Sequence, residues 1–385
     1  MDLALSAEHE QLREVVARFA RDEVAPVIAD HYRRGELPLG LVRRMGEMGL
    51  FGLPIPEEYG GMGGDYVALC VAIEELARVD SSIAITLEAG VSLGAMPILR
   101  FGTPEQKATW LPRLAAGEML GAFGLTEAGS GSDAGSVRTT AVVDGDHWVV
   151  NGSKSFITNS GTAITGLVTV TAVTGSGPDG QQEVSTIIVP SGTPGFHVTP
   201  EYAKVGWNAS DTHELSFTNV RVPLDNLLGA RGRGLAQFLS ILAEGRVAIA
   251  ALGTGLAQGC VDESLAYAAT RESFGRPIAT RQAIQFMVAD MEVRAHLSRL
   301  AWRSAAGRMS AGLPFAREAS IAKLYSSEAA MDNARAATQV HGGYGFMVES
   351  AVGRFYRDAK ILEIGEGTSE VQRMLIARDL GMPAD

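Results

Sequence analysis

One stretch of the sequence divides the chain: Thr139-Thr140-Ala141-Val142-Val143-Asp144-Gly145-Asp146-His147-Trp148-Val149-Val150-Asn151-Gly152. It contains two runs rich in β-branched residues. Asp144-Gly145 separates the runs and Asn151-Gly152 follows the second one, and both dipeptides are typical of tight turns. The stretch therefore predicts a β-hairpin with a tight turn at each dipeptide. Further β-rich runs at 167–173, 184–189 and 214–222 extend the prediction to a β unit of roughly a hundred residues.

On both sides of this β unit, apolar residues recur with a helical period. Leu12, Val16 and Phe19 lie on one stripe before it, and Ile284 and Met291 lie on another after it. The order of helical, β and helical segments predicts an α+β protein rather than alternating βαβ units. We expect three parts: an N-terminal helical domain at 1–120, a central β domain at 121–233 and a C-terminal helical part at 234–385.

Composition restricts the classes of function. The 385 residues carry a formal net charge of -11, which argues against nucleic-acid binding. No run of about 18 uncharged apolar residues is present, so we expect no transmembrane segment. The first six residues have neither a basic nor an apolar stretch, so no secretory signal is expected. Cys70 and Cys260 are too few for a disulfide framework or a metal site. We therefore expect a cytoplasmic protein without a metal.

The densest run of small residues is Gly124-Leu125-Thr126-Glu127-Ala128-Gly129-Ser130-Gly131-Ser132-Asp133-Ala134-Gly135-Ser136. Glycines and serines allow main-chain N–H groups to approach an anionic or planar ligand closely. Part of the run matches the dinucleotide-binding pattern G-x-G-x-x-A, but that pattern requires a helix afterwards, and β-rich sequence follows here. The alternative is a surface loop without a ligand.

A second candidate segment runs from Tyr356 to Gln372 and contains Glu366 between two glycines. Ser369-Glu370-Val371-Gln372 directly after it fits a capping box that opens a helix. A carboxylate at such a joint can project into a cleft, and burial in an apolar site would raise its pKa towards neutrality and suit it to act as a base. The alternative is a solvated glutamate in a turn.

Arg246 lies inside a largely apolar helical pattern. A buried guanidinium group needs a partner, so Arg246 indicates either an ion pair or an anionic ligand.

Together these segments resemble the acyl-CoA dehydrogenase family, and the resemblance covers essentially the whole chain. The run at 124–136 resembles the first signature of the family, and the segment at 356–372 resembles its catalytic segment. The resemblance implies an N-terminal helical domain, a central β domain with barrel-like antiparallel sheets and a C-terminal four-helix bundle. It also implies FAD between the last two domains and a homotetramer in which a neighbouring subunit completes the FAD site.

By position, the resemblance assigns residues to the FAD site. Those near the flavin are Phe123, Leu125, Thr126, Gly131, Ser132, Phe156, Ile157, Thr158, Thr368 and Glu370. Those that would reach the FAD of a neighbouring subunit are Arg271, Phe274, Gln282, Gln339 and Gly343.

The chemistry implied by the family is α,β-desaturation of an acyl-CoA thioester. Glu366 would remove the α-proton while the β-hydrogen leaves as hydride to the flavin, and an electron-transfer flavoprotein would then accept the electrons. Some relatives carry the base directly before the arginine that corresponds to Arg246, but this chain has Gly245 there. Glu244 lies one residue earlier and should point elsewhere, because one helical step rotates a side chain by about 100°.

The substrate contacts that the resemblance implies are Ser132, Arg246, Gly365, Gly367 and Glu88. Gly365 replaces a tyrosine of several straight-chain relatives, which suits a branched or bulkier acyl group, whereas Glu88 at the far end of the pocket would exclude very long chains. We expect an oxidoreductase for short, medium or short branched chains, in fatty-acid or branched-chain amino-acid catabolism. The alternatives are a flavin oxidase or monooxygenase on the same fold, or a non-catalytic flavin- or acyl-CoA-binding protein.

Overall fold

The computed structural model describes residues 3–177 and 180–383. Met1 and Asp2 of the predicted N-terminal domain therefore lie outside the described residues. The N-terminal part is helical. A π-helical stretch, Ala20–Val24, joins the first two helices, and another, Ala89–Ala95, continues the fifth. Its α-helices are α1 Ala7–Phe19, α2 Ala25–Arg34, α3 Leu39–Glu47, α4 Tyr66–Ala77, α5 Ser81–Glu88, α6 Met96–Phe101 and α7 Pro104–Ala115.

The central part is an eight-stranded sheet with the strand order β6-β7-β3-β2-β4-β5-β8 and β1 beside β4. Most neighbours are antiparallel, but β1 and β2 both run parallel to β4, so the sheet is mixed. The strands are β1 Leu120–Gly124, β2 Thr140–Asp144, β3 His147–Thr158, β4 Thr165–Ser176, β5 Gln182–Pro190, β6 Phe196–Val198, β7 Thr212–Pro223 and β8 Leu227–Leu228.

The predicted hairpin is confirmed as β2 and β3, with Gly145 at φ 63° in the turn. The second predicted turn, at Asn151-Gly152, is wrong because β3 continues through it to Thr158. Gly152 instead lies at a register shift between β3 and β7. A Cβ there would lie 2.6 Å from Oγ1 of Thr139, the residue directly before β2, so the close approach of this segment to β3 requires the glycine.

The C-terminal part is helical again, with a small two-stranded ribbon of β9 Glu272–Ser273 and β10 Arg276–Pro277. Its helices are α8 Gly234–Thr270, α9 Gln282–Ser310, α10 Ala316–His341, α11 Ala351–Leu362 and α12 Ser369–Asp379. Helices α8, α9 and α10 contact one another, α11 packs on α8 and α10, and α4 of the N-terminal domain packs on α8. The predicted α+β class and the order of its three parts are confirmed, whereas the predicted boundaries at 120/121 and 233/234 stay predictions.

The three parts meet at Asp358, which is fully buried on α11. Its carboxylate accepts hydrogen bonds from Tyr32 Oη at 2.6 Å, from Ser81 Oγ at 2.7 Å and from the main-chain N–H of Trp207 at 2.7 Å. These donors belong to α2, to α5 and to the loop before β7. The joint therefore fixes α11, and the segment that follows it, relative to both other domains.

Two helical stretches are long and apolar enough to cross a membrane: Ser81–Phe101 and Gly234–Thr270. Their most apolar windows are 89% and 61% buried inside the fold. Both stretches thus serve as core helices here, as the apolar helices of a folded domain do.

Candidate active site

Glu366 lies in the short segment between α11 and α12. Its φ is 53°, and that of Gly367 is 92°, so two consecutive residues adopt left-handed backbone conformations. A left-handed non-glycine residue costs about 1–3 kcal/mol and persists where its surroundings hold it in place. The bend turns the side chain of Glu366 inward, and its Oε2 atom is shielded from solvent although the residue as a whole is half-buried.

The carboxylate of Glu366 lies against α5 and α8. A Cβ at Gly245 would lie 2.5 Å from Glu366 Oε2 and 3.6 Å from Glu88 Oε1, so both carboxyl groups border the space beside this glycine. The side chain that some relatives place at this position would therefore collide with Glu366. Glu244 points away as predicted, because Arg100 binds its two oxygens at 3.1 and 3.2 Å.

Two cations face Glu366. Arg246 on α8 is 8% exposed, its Nε has no hydrogen-bond partner among the described residues, and burial lowers its pKa. Lys323 on α10 is fully buried. Burial raises the pKa of Glu366 to about 7, and the charges of Lys323 and Arg246 offset part of that rise. The carboxylate is thus poised to exchange a proton near neutral pH.

Glu88 ends α5 and is completely buried, and no group of residues 3–177 and 180–383 donates a hydrogen bond to either of its oxygens. Burial, and then the charge of Glu366, raise the pKa of Glu88 well above its ordinary value. Both effects favour the neutral form of Glu88. Ser92, which hydrogen-bonds Tyr66 Oη at 2.8 Å, opposes part of this rise.

An ion pair that the sequence did not predict organises the small-residue run. Lys154 on β3 is fully buried and donates to Glu127 Oε1 at 2.7 Å, to Thr171 Oγ1 at 3.0 Å and to the carbonyl of Leu125 at 3.2 Å. Glu127 also accepts from Arg138 N, Thr139 N and Thr139 Oγ1. Both residues are visible in the sequence, Glu127 within the small-residue run and Lys154 after the predicted hairpin. Nothing in the sequence indicates that the two residues meet.

The rest of the run contains both buried and exposed predicted cofactor residues. Phe123 and Leu125 are 9% and 8% exposed, and the Phe123 ring stacks on Phe238 at 3.8 Å. Thr126 is half-buried, whereas Gly131 and Ser132 are exposed. Apart from its two chain neighbours, no residue in the described part of the chain has an atom within 4 Å of the point where a Cβ of Gly131 would stand, so this main chain is open to a ligand.

The end of β3 is irregular, because its register against β7 shifts between Lys154 and Ile157. Phe156 has a φ of 62° and its ring is 66% exposed, beside Tyr202 at 5.2 Å. Ile157 is buried in the core of the β domain, so only its main chain can meet a ligand, and Thr158 is half-buried. Ser155, next to this exposed ring, donates its main-chain N–H to the carbonyl of Thr126 in the small-residue run. An exposed aromatic ring held at a positive φ on a strand joined to such a run fits a planar ring system such as a flavin.

The residues predicted to serve a neighbouring subunit are all exposed in this chain: Arg271, Phe274, Gln282, Gln339 and Gly343. Phe274 is 94% exposed, and Arg281 lies over its ring at 5.7 Å. Arg271 lies over the ring of Tyr344 at 5.7 Å. These side chains belong to the ends of the C-terminal helices, and their contact with a second copy stays a prediction.

The helix after Glu366 begins one residue earlier than the capping-box pattern predicts. Thr368 caps α12 by accepting from Val371 N at 3.2 Å, and Glu370 is exposed. The Gln372 side chain does not complete the box. It donates instead to the carbonyls of Gly367 at 2.9 Å and Glu366 at 3.3 Å, because the left-handed bend presents them to it.

Two glycines flank Glu366 with different surroundings. A Cβ at Gly367 would lie 2.7 Å from Gln372 Nε2, so the bend is closely packed on that side. At Gly365 the nearest atom to such a Cβ is the carbonyl oxygen of Ile361 at 3.5 Å. This is an ordinary van der Waals distance, so Gly365 is less closely packed than Gly367.

The comparisons with known proteins agree along the whole chain. Family models for acyl-CoA dehydrogenases match as an N-terminal domain at residues 6–118, a middle domain at 122–220 and a C-terminal domain at 232–381. A probable acyl-CoA dehydrogenase of Bacillus subtilis is 48% identical over 99% of this chain and 100% of its own length.

Two solved structures are similar in fold. One is described as the electron transferring flavoprotein of Acidaminococcus fermentans, with a TM-score of 0.95, 40% identity and coverage of 99% of both chains. The other is butyryl-CoA dehydrogenase from Megasphaera elsdenii, with a TM-score of 0.95, 38% identity and coverage of 99% of this chain and 100% of that one. The chain described here belongs to the acyl-CoA dehydrogenase family of oxidoreductases.

Proposed function

We propose that this chain desaturates an acyl-CoA thioester between its α and β carbons, with Glu366 as the base that removes the α-proton. One observation carries the proposal: a carboxylate with a buried Oε2 atom that lacks a hydrogen-bond partner among the described residues is subject to the charges of Lys323 and Arg246 and has a pKa raised to about 7. A base with a pKa near the working pH combines the ionised state with a strong drive for proton transfer. When bound, FAD would supply the acceptor for the hydride from the β carbon.

The fit of FAD to this chain rests on two features. The exposed main chain at Gly131 and Ser132 can approach an anionic group. The Phe156 ring is exposed at the end of β3, where the N–H of Ser155 donates to the carbonyl of Thr126 in the same run. We propose that Thr126 and Thr158 line the same ligand, and that Thr368 and Glu370 approach it from α12. The five exposed residues at the ends of the C-terminal helices would complete the site of a neighbouring copy in a homotetramer.

Substrate contacts follow from the surroundings of Glu366. Arg246 and Ser132 are suited to the polar parts of coenzyme A, and Gly365 and Gly367 border the base. The butyryl-CoA dehydrogenase relative supports a short acyl chain, and the looser packing at Gly365 than at Gly367 supports a branched one. The flavoprotein structure among the relatives supports an electron-transfer flavoprotein as acceptor. The bacterial relatives support a cytoplasmic enzyme.

The test is anaerobic bleaching of the flavin in the purified protein by short straight, medium straight, branched and aromatic acyl-CoAs. The parent is compared with Glu366→Gln and with Glu363→Gln, a matched control whose carboxylate pairs with Lys360 at the surface. We expect one class of acyl-CoA to bleach the parent and the control rapidly, and the Glu366 variant about a thousandfold more slowly.

Two results would contradict the proposal. If no acyl-CoA reduces the flavin of the parent, the reaction class is wrong. If Glu366→Gln bleaches as fast as the parent, the reaction stands and the base is another residue.

A further inference from the structure

Lys323 is a fully buried lysine that the proposed reaction does not yet use. Lysine is almost never fully buried unless it is paired. Lys154, the other fully buried lysine in the described part of the chain, has a carboxylate at 2.7 Å. Lys323 has none within the 4.0 Å that defines an ion pair, counting only residues 3–177 and 180–383. Its burial therefore calls for another explanation.

The ammonium group of Lys323 donates to the carbonyl oxygen of Gly367 at 2.7 Å. Gln372 Nε2 donates to the same oxygen at 2.9 Å. This carbonyl follows directly on Glu366, and both residues have positive φ values. A charge-assisted hydrogen bond is roughly twice as strong as a neutral one, so Lys323 is the stronger of the two donors that hold the bend.

The charge of Lys323 also acts on the carboxylate itself. The charged and titratable groups that face Glu366 are Lys323 from α10, Arg246 from α8 and Glu88 from α5. Glu363 and Glu370, on either side of the bend, also act on Lys323. Of the two cations, Lys323 does more to favour the ionised form of Glu366. It is thus both a tether of the main chain and a counter-charge for the side chain.

We propose that Lys323 is a positioning residue for the base: by binding the Gly367 carbonyl it holds the left-handed bend that aims the Glu366 carboxylate at the space beside Gly245, and its charge favours the ionised base. The proposal rests on the proposed function for the identity of the base. It adds a residue on a different helix, α10, to the machinery that the reaction requires.

The first test is a double-mutant cycle that needs no reaction. Thermal unfolding is measured at about pH 8 for the parent, Lys323→Met, Glu366→Gln and the double variant. Glu366 is ionised there, so Glu366→Gln should raise the melting temperature more in the Lys323→Met background than in the parent. Equal changes in the two backgrounds would overturn the proposal, whether or not the protein oxidises an acyl-CoA.

The second test is flavin bleaching by butyryl-CoA across the pH range from about 6 to about 9. Lys323→Met should bleach about tenfold more slowly, with the midpoint of its pH profile about one unit above that of the parent. Lys323→Arg, which keeps the charge, should keep the parental midpoint and recover part of the rate. Lys360→Met is the matched control, since it removes an exposed lysine that pairs with Glu363, and its profile should match the parent.

The outcomes separate the two proposals. If the parent is bleached and Glu366→Gln is not, a parental rate and midpoint in Lys323→Met overturn the role of Lys323 alone. If the parent is not bleached, the proposed reaction fails and the unfolding cycle still decides on Lys323. If Lys323→Met does not fold, Lys323→Arg decides: a midpoint that shifts although the charge is kept contradicts the proposal.

Discussion

Two buried glutamates of this chain show opposite treatments of the same side chain. Glu127 lies in the β domain, receives the Lys154 ammonium group at 2.7 Å and accepts three further hydrogen bonds. Burial opposes its charge, but Lys154 and Thr139 more than offset this and lower the pKa of Glu127. Glu366 lies between the helical domains, faces Glu88 and keeps an oxygen without a partner, and its pKa rises to about 7.

The difference separates a carboxylate that stabilises the fold from one that is available to react. Every oxygen of Glu127 is occupied, so its charge is permanent and holds the small-residue run against β3. The charge of Glu366 is only partly compensated by Lys323 and Arg246, so ionising it costs stability at neutral pH. Proteins retain such a cost where function requires it, which is why strongly perturbed groups cluster at active sites.

The largest effect on stability is expected for a substitution at Glu127. Glu127→Gln leaves the Lys154 charge buried without its partner, and breaking a buried pair in this way typically costs about 3–5 kcal/mol. Thermal or urea unfolding of the purified variant measures the loss. Because the folded pKa of Glu127 is lowered, its contribution is present above the unfolded pKa and fades as the pH falls through the folded one. A variant as stable as the parent at neutral pH would contradict a structural role.

Replacing Glu366 by glutamine should raise the stability of the protein rather than lower it. The pKa of Glu366 is about 7 in the folded protein against an ordinary 4.5, so its favourable contribution is complete below about pH 4.5 and is lost as the pH rises through 7. Glu366→Gln has no charge to lose this stability, so its free energy of unfolding should exceed that of the parent by up to about 3 kcal/mol at pH 8. Urea or thermal unfolding of the parent and the variant at pH 8 and near pH 5 measures this difference in stability. A Glu366→Gln variant that is less stable than the parent at pH 8 would contradict the expected contrast between Glu127 and Glu366.

A smaller effect is expected at Glu88, the partner of Glu366 across Gly245. Burial and the charge of Glu366 raise the pKa of Glu88 well above the ordinary value and so favour its neutral form, whose shape and charge a glutamine reproduces. Glu88→Gln should keep kcat/KM within about threefold of the parent. Steady-state assays with the best acyl-CoA of the panel check this, with Glu88→Ala as a comparison that removes the packing. A large loss of kcat/KM in the glutamine variant would mean that Glu88 works as an anion.

That Glu88 bounds the far end of an acyl chain stays a prediction.

The sequence predicted the features that depend on neighbouring residues. The β2–β3 hairpin follows from Asp144-Gly145, and the joint around Glu366 follows from its two glycines. At Asn151-Gly152 the same reasoning predicted a turn where there is a bulge, because the two share a preference for glycine and only the partner strand β7 decides between them.

The features that the sequence did not predict depend on contacts between distant segments. Glu127 and Lys154, or Glu366 and Lys323, meet only once the domains have folded, and no periodicity records that meeting. Gly245 was recognised as a departure from the family pattern. Only the structure shows that the carboxylate of Glu366 fills the place that the missing side chain leaves.

The availability of Glu366 to react is tested most directly by the pH dependence of kcat/KM, which reports the pKa of the free enzyme's base. With Glu366 as the base, kcat/KM should rise with pH and reach half its maximum near pH 7, the pKa to which burial raises this carboxylate. Glu127 would give no such profile, because its charge is permanent over this range. A profile that is flat from about pH 5 upwards, with any midpoint near that of an ordinary carboxylate, would contradict a buried and destabilised base.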